Sequence, residues 1–142
     1  MPLDALIRFY EELTPERVAR LPELYAANAW FKDPFNEVRG AEAIQRIFLH
    51  MFRQVDVPQF IVTECIEEEH GAMLAWVFHF RPRSWGRGRE QAIRGVSHLK
   101  FNTEGKVCFH RDYWDAAEEL YAKLPLLGGM MRYLQRMLSN KK

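Results

Sequence analysis

The chain has 142 residues, 48% of them hydrophobic and 13% aromatic, with 20 Lys and Arg against 19 Asp and Glu and a net charge of +1. That length suits one domain with a sizeable core, and the charge balance excludes a protein built mainly on a basic nucleic-acid-binding surface. No apolar run approaches the ~18 residues of a membrane span, and Met1-Pro2-Leu3-Asp4 lacks the basic-then-apolar pattern of a secretory leader, so a cytoplasmic protein is expected. Cys65 and Cys108 lie in no metal or redox spacing and read as buried, reduced thiols.

Helices are predicted first. Leu3, Leu6, Ile7, Tyr10 and Leu13 form one apolar stripe at helical spacing. Thr14-Pro15-Glu16 looks like a new helix start, with Val18, Leu21, Leu24 and Tyr25 on its inner face and an interruption at Pro22. A short extended piece, Ala29–Lys32, runs into Asp33-Pro34. After Gly40 comes the clearest helix, with Ile44, Ile47, Phe48, Met51, Phe52 and Val55 on one face, ended by Asp56 to Pro58. Four strands follow: Gln59–Glu67, Ala72–Arg81, Gln91–Asn102 and Lys106–Trp114. His70-Gly71 and Glu104-Gly105 fall where hairpins need a left-handed residue. The longer link over 82–90 carries Trp85 among Arg81, Arg83, Arg87, Arg89 and Arg94 and reads as a solvated hairpin tip. A short helix over Ala116–Leu124 stops at Pro125, and Gly128-Gly129 opens the last helix. That helix is expected to pack on the core or across the mouth of a pocket through Leu127, Met130, Met131, Leu134 and Leu138.

The expected fold class is α+β: a cone-shaped barrel of a strongly curved antiparallel sheet wrapped around N-terminal helices, with a C-terminal helical extension over 116–142 of the same single domain, 1–142. Such a sheet leaves a concave interior suited to a small apolar ligand.

Two stretches carry a resemblance. One is Leu24-Tyr25-Ala26, then Phe31-Lys32-Asp33-Pro34, Gly40 and Ala43-Ile44. The other is the run from His98 to Val107, then His110-Arg111-Asp112-Tyr113-Trp114-Asp115. Over roughly residues 5–120 the chain resembles the nuclear transport factor 2-like superfamily, in its polyketide-cyclase (SnoaL-like) and steroid Δ-isomerase branches. The resemblance implies the cone-shaped fold. It implies no single activity, because the superfamily includes isomerases, cyclases, epoxide hydrolases, dehydratases and non-catalytic binders.

Asp33, between Phe31 and Phe35, matches the Asp-Pro whose carboxylate is the general base of the steroid isomerases; its alternative role is to cap the turn before Pro34. The isomerases' oxyanion-hole tyrosine falls at Phe9, with Tyr10 adjacent but turned by about 100°, and their second donor falls at Ser97. These departures count against steroid isomerisation. Strand alternation puts His110, Asp112 and Trp114 on one face, and the resemblance turns that face toward the pocket. Asp112 is then the nearest match to the acid–base residue of the cyclase branch, or a scaffold partner of Arg111, Arg94 or His98. On the second strand, His79 shares a face with Ala75 and Val77 and is expected to point inward; Leu74, Trp76, Phe78 and Phe80 are then left outside, for a twofold homodimer.

The leading expectation is therefore a small enzyme working by proton transfer, with no organic cofactor and no metal. Its catalytic candidates are Asp33, Asp112, His110 and His79, and its ligand-lining candidates are Phe9, Tyr10, Phe31, Ser97, Leu99, Phe101 and Trp114. The alternatives are a carrier or sensor of an apolar ligand and a dimeric scaffold whose pocket is filled by its own side chains.

Overall fold

The computed structural model describes residues 2–119 and 125–139. Helix α1 (Pro2–Glu11) leads to the single-turn α2 (Pro15–Val18) and a 3-10 turn at Leu21–Glu23. Thr14 caps α2 by accepting the Arg17 N–H, and Pro15 occupies its first turn. Strand β1 (Tyr25–Lys32) and the short β2 (Glu37–Arg39) precede the long helix α3 (Ala41–Gln54). Then come β3 (Val55–Glu68), β4 (Gly71–Pro82), β5 (Gln91–Phe101) and β6 (Val107–Tyr113), followed by α4 (Ala116–Glu119) and α5 (Pro125–Leu138).

The six strands form one mixed, curved sheet in the order β2-β1-β6-β5-β4-β3. The predicted antiparallel meander is present from β3 to β6. The sheet is mixed because β1 returns beside β6 in parallel, with Phe31 opposite His110 and Lys32 opposite Arg111. In this order β2 and β3 stand at the two ends. Its inner face packs on the first helices. Leu6, Leu21, Tyr25, Ile44, Leu74, Leu99 and Val107 are among the most fully buried side chains, each large aliphatic one stabilising the fold by roughly 1.5–3 kcal/mol.

Several boundaries differ from expectation for local reasons. Tyr25 opens a strand and does not continue a helix: Pro22, with no N–H to extend α2, falls instead in the first turn of the separate 3-10 segment that precedes the strand. The strand expected from Gln59 already begins at Val55, and Asp56 to Pro58 make a bulge inside β3, where Val57 has φ 50°. Gly105 has the left-handed φ of 79° expected at its hairpin. Gly71 is required for a different reason: a Cβ there would lie 2.6 Å from the Leu99 carbonyl oxygen. Pro125 opens α5, as proline can at a first helical position, and the Gly128-Gly129 pair lies inside it. The predicted helix over Ala116–Leu124 is described only to Glu119, and the side chains of Leu127 and Met131 lie outside the described residues. Met130 and Leu138, expected to pack inward, are exposed in α5. Cys65, expected to be buried, is exposed, and Cys108 is half-buried. No described helix is long and apolar enough to cross a membrane.

Candidate active site

The faces of the central strands decide which side chains meet. Register pairs Leu74 with Ser97 and Ser97 with Asp112, while Leu99 pairs with His110. These residues therefore share the inner face. On β6 the alternation is as predicted: His110 is buried, and Asp112 reaches the end of the cavity.

On β4 the outcome is reversed. Leu74, Trp76 and Phe80 are buried on the inner face, and Phe78 stacks on Phe60 with ring centroids 4.3 Å apart. These side chains form the chain's own interior, so the expected dimer contact through Leu74, Trp76, Phe78 and Phe80 is not available. His79 consequently lies on the outer face, between Gln59 and Ala92, away from Asp112. It is not part of the site. The physical reason is that the large aromatic series must fill the concavity, which the Ala75, Val77 and His79 series cannot do.

The inner cavity is lined by Tyr10 from α1, Phe48 from α3, Phe60 and Val62 from β3, Trp76, Ser97, His110 and Asp112. It holds only about 20 Å³, space for one water. One hydrogen-bonded chain runs through its wall. Trp76 Nε1–H donates to Ser97 Oγ at 2.9 Å, and the Ser97 hydroxyl donates to Asp112 Oδ1 at 2.5 Å. His110 Nε2 meets the same oxygen at 2.7 Å. On the far side of the ring, Tyr25 Oη lies 2.7 Å from Nδ1, and Tyr10 Oη bonds to Tyr25 Oη. Asp112 Oδ2 accepts no hydrogen bond from the described residues, and the Asp112 side chain is 19% exposed against 3% for His110.

Packing holds this chain in place. The Phe31 ring meets His110 edge-on at 4.8 Å, and the Tyr25 ring stacks on it at 6.0 Å. Trp76 lies across Gly95, where a Cβ would come within 2.5 Å of the indole. Burial pushes the ionisation of Tyr25 well above the ordinary phenol range, with Tyr10 and the Asp112 charge adding to it. Burial likewise raises Tyr10, opposed by its bond to Tyr25 and reinforced by Asp112. Both phenols therefore remain protonated and act as hydroxyl donors.

Asp112 also borders an open cleft of about 460 Å³ lined by Lys32, Asp33, Pro34, Arg111, Tyr113, Trp114 and Asp115. Here Asp33 is committed to a turn. Its Oδ1 accepts the backbone N–H of Phe35 at 2.8 Å and of Asn36 at 2.7 Å, and both carboxylate oxygens take the Asn36 amide. Lys32 pairs with Glu37 at 3.3 Å, and Arg111 lies over the Tyr113 ring.

Of the residues picked from sequence, Tyr10, Ser97, His110 and Asp112 thus meet in the inner cavity, while Asp33 and Trp114 line the open cleft. Phe9 packs edge-on against Phe48 at 6.5 Å, behind the cavity wall. Phe31 and Leu99 are buried and Phe101 is partly buried against the core; these three line neither space. Sequence reasoning missed Tyr25, hidden by its assignment to a helix, and Trp76, hidden by the inverted face of β4. Phe48 was placed correctly on the inner stripe of its helix but not recognised as cavity-lining. Among the described residues no three His, Cys, Asp or Glu side chains gather as a metal ion would require.

Comparison with known proteins bears on the fold. A hypothetical protein with a ketosteroid isomerase-like fold from Catenulispora acidiphila DSM 44928, solved with trimethylamine, is 16% identical, with TM-score 0.72 over 87% of this chain and 93% of that one. A candidate SnoaL-like polyketide cyclase from Jannaschia sp. CCS1 is 14% identical, with TM-score 0.71 over 82% and 87%. TsrD from Streptomyces laurentii is 17% identical, with TM-score 0.70 over 89% and 92%. At these identities the likeness establishes the nuclear transport factor 2-like fold alone. No curated protein resembles the chain closely enough to count as a match. The SnoaL-like domain profile matches residues 6–110, and the chain belongs to that family.

Proposed function

We propose that the chain is a small acid–base catalyst in which Asp112 takes a proton from, and returns it to, a small, largely apolar metabolite bearing a carbonyl group. One observation carries this reading. Asp112 is held at Oδ1 by His110 and Ser97, leaves Oδ2 unengaged by the described residues, and borders the open cleft. A carboxylate so oriented is positioned for proton transfer, with its rotation already restricted. The inner cavity is too small for a metabolite, so the substrate occupies the cleft and reaches Asp112 from there. Lys32 and Arg111 line the same cleft and supply positive charge for a developing enolate oxygen. This arrangement replaces the tyrosine-and-acid oxyanion donors of the steroid isomerases.

A second reading has its own support. The inner polar chain is satisfied internally, and the open cleft beside Asp112 has room for a ligand, as suits a protein that holds one without turnover.

Deuterium exchange separates the two. The protein is incubated in D2O with a panel of cyclic ketones and enones, and α-carbon deuteration is followed by NMR. Catalysed exchange that is lost in Asp112→Asn supports the enzyme. Saturable binding without exchange supports the carrier.

A further inference from the structure

The hydrogen-bonded chain through His110 has a direction that follows from its donors and acceptors. An indole N–H only donates, so the bond from Trp76 leaves the Ser97 proton for Asp112. Asp112 Oδ1 accepts again from His110 Nε2–H. A neutral imidazole has one N–H, so Nδ1 is an acceptor, and Tyr25 O–H donates to it. The Tyr25 oxygen is then left to accept from Tyr10. Every donor has an acceptor in this arrangement.

A second arrangement uses the same atoms. A proton entering at the Tyr10 oxygen, which borders the inner cavity, lets Tyr10 pass its own proton to Tyr25 and Tyr25 pass its own to Nδ1. Each phenol ends with one proton, pointing the other way, and no phenolate forms. His110 then carries both N–H groups, Nε2–H on Asp112 and Nδ1–H on the Tyr25 oxygen. The titratable groups facing His110 are Tyr10 from α1, Tyr25 from β1 and Asp112 on its own strand; β5 contributes Ser97 and Leu99, which do not titrate.

We propose that Tyr25, seconded by Tyr10, is a positioning residue whose hydroxyl reverses to admit a proton to His110, and so sets whether Asp112 faces an imidazole or an imidazolium. The link to turnover rests on the acid–base reading above, but the reversal itself is measurable without a substrate. In the absence of Tyr25 Oη, the acceptor left to Nδ1–H of a charged ring is Tyr10 Oη at 3.5 Å, a longer and weaker contact than the 2.7 Å bond it replaces, so the buried imidazolium loses more than a neutral ring does.

The test is ring ¹H–¹⁵N correlation spectroscopy of His110 in the full chain across pH. The wild type should show Nε2–H with an acceptor Nδ1 at high pH and gain Nδ1–H on acidification. Tyr25→Phe keeps the ring stacked on His110 and should lower the titration midpoint by about one pH unit or more. Tyr10→Phe should lower it by a smaller amount, because Tyr25 then reverses without its own acceptor. A wild-type Nδ1–H tautomer at high pH overturns the proposal, whether or not the variants fold. So does an unchanged or raised midpoint in either folded variant. If ketone exchange is absent but the midpoints fall in this order, the acid–base reading fails and the reversal stands.

Discussion

The turn over Asp33–Asn36 and the end of β6 both deliver an aspartate to the open cleft, and they hold it in different ways. Asp33 spends its carboxylate on the backbone that follows it, closing a turn with Phe35 and Asn36. Asp112 is held from the side by other strands, at one oxygen only. A carboxylate engaged by its own turn stabilises that turn. One held by a separate framework keeps a face for a substrate. Proximity to a cleft does not distinguish the two, whereas the hydrogen-bond inventory does.

The sharpest way to break this contrast is to neutralise each aspartate in turn. Asp112→Asn, which preserves an acceptor for Ser97, should lower ketone exchange by roughly 10²–10⁴-fold. Asp33→Asn should leave exchange within a few-fold of wild type and lower stability in urea by about 1 kcal/mol. Equal losses of exchange from both would dissolve the distinction.

A second test attacks the framework behind Asp112. Gly95→Ala would drive a methyl into Trp76, whose indole sits 2.5 Å from the added Cβ, and should cost about 1–3 kcal/mol in chemical denaturation. It should also loosen the Ser97 contact and reduce exchange, whereas Gly88→Ala, at a φ of 72° but with open space around it, should cost stability without touching exchange.

The third test uses the buried phenols. Their ionisation is raised in the fold, so the folded chain holds protons that the unfolded chain has released above the ordinary phenol pKa of about 10. Stability should therefore be unaffected by these groups below that pH and should fall as pH rises through it, by up to about 1.4 kcal/mol per pH unit for each tyrosine. Tyr25→Phe should flatten that slope, and substituting the exposed Tyr133 should not.

Much of the fold was legible because periodicity reports burial locally. Ile44, Ile47 and Phe48 mark α3, and His110 and Asp112 share a face on β6 as alternation requires. The inner face of β4 was not legible in the same way. Leu74, Trp76, Phe78 and Phe80 alternate with Ala75, Val77 and His79, and neither series is polar enough to be assigned to solvent by alternation alone. What selects between them is pairing with β5, where Gly95 opposite Trp76 makes room for the indole. That information lies in a different strand. The fate of Asp33 was legible as its turn-capping alternative, because the partners that commit it, Phe35 and Asn36, are only two and three residues on. Tyr25 escaped notice because its role exists only once β1 lies beside β6.

That parallel pairing has a consequence for how the protein matures. Tyr25 and His110 are 85 residues apart, and β1 reaches β6 only across the whole intervening meander. Loop closure over such a span is slow and comes late. During synthesis β1 can pair with β2 and pack on α3, but the edge of β1 that takes β6 must wait, with the sides of Phe31 and Tyr25 that meet His110 uncovered, until β6 has left the ribosome. A nascent chain stalled before His110 would therefore be the form most exposed to chaperones, and the hydrogen-bonded chain through His110 would close only as the last strand is set in place.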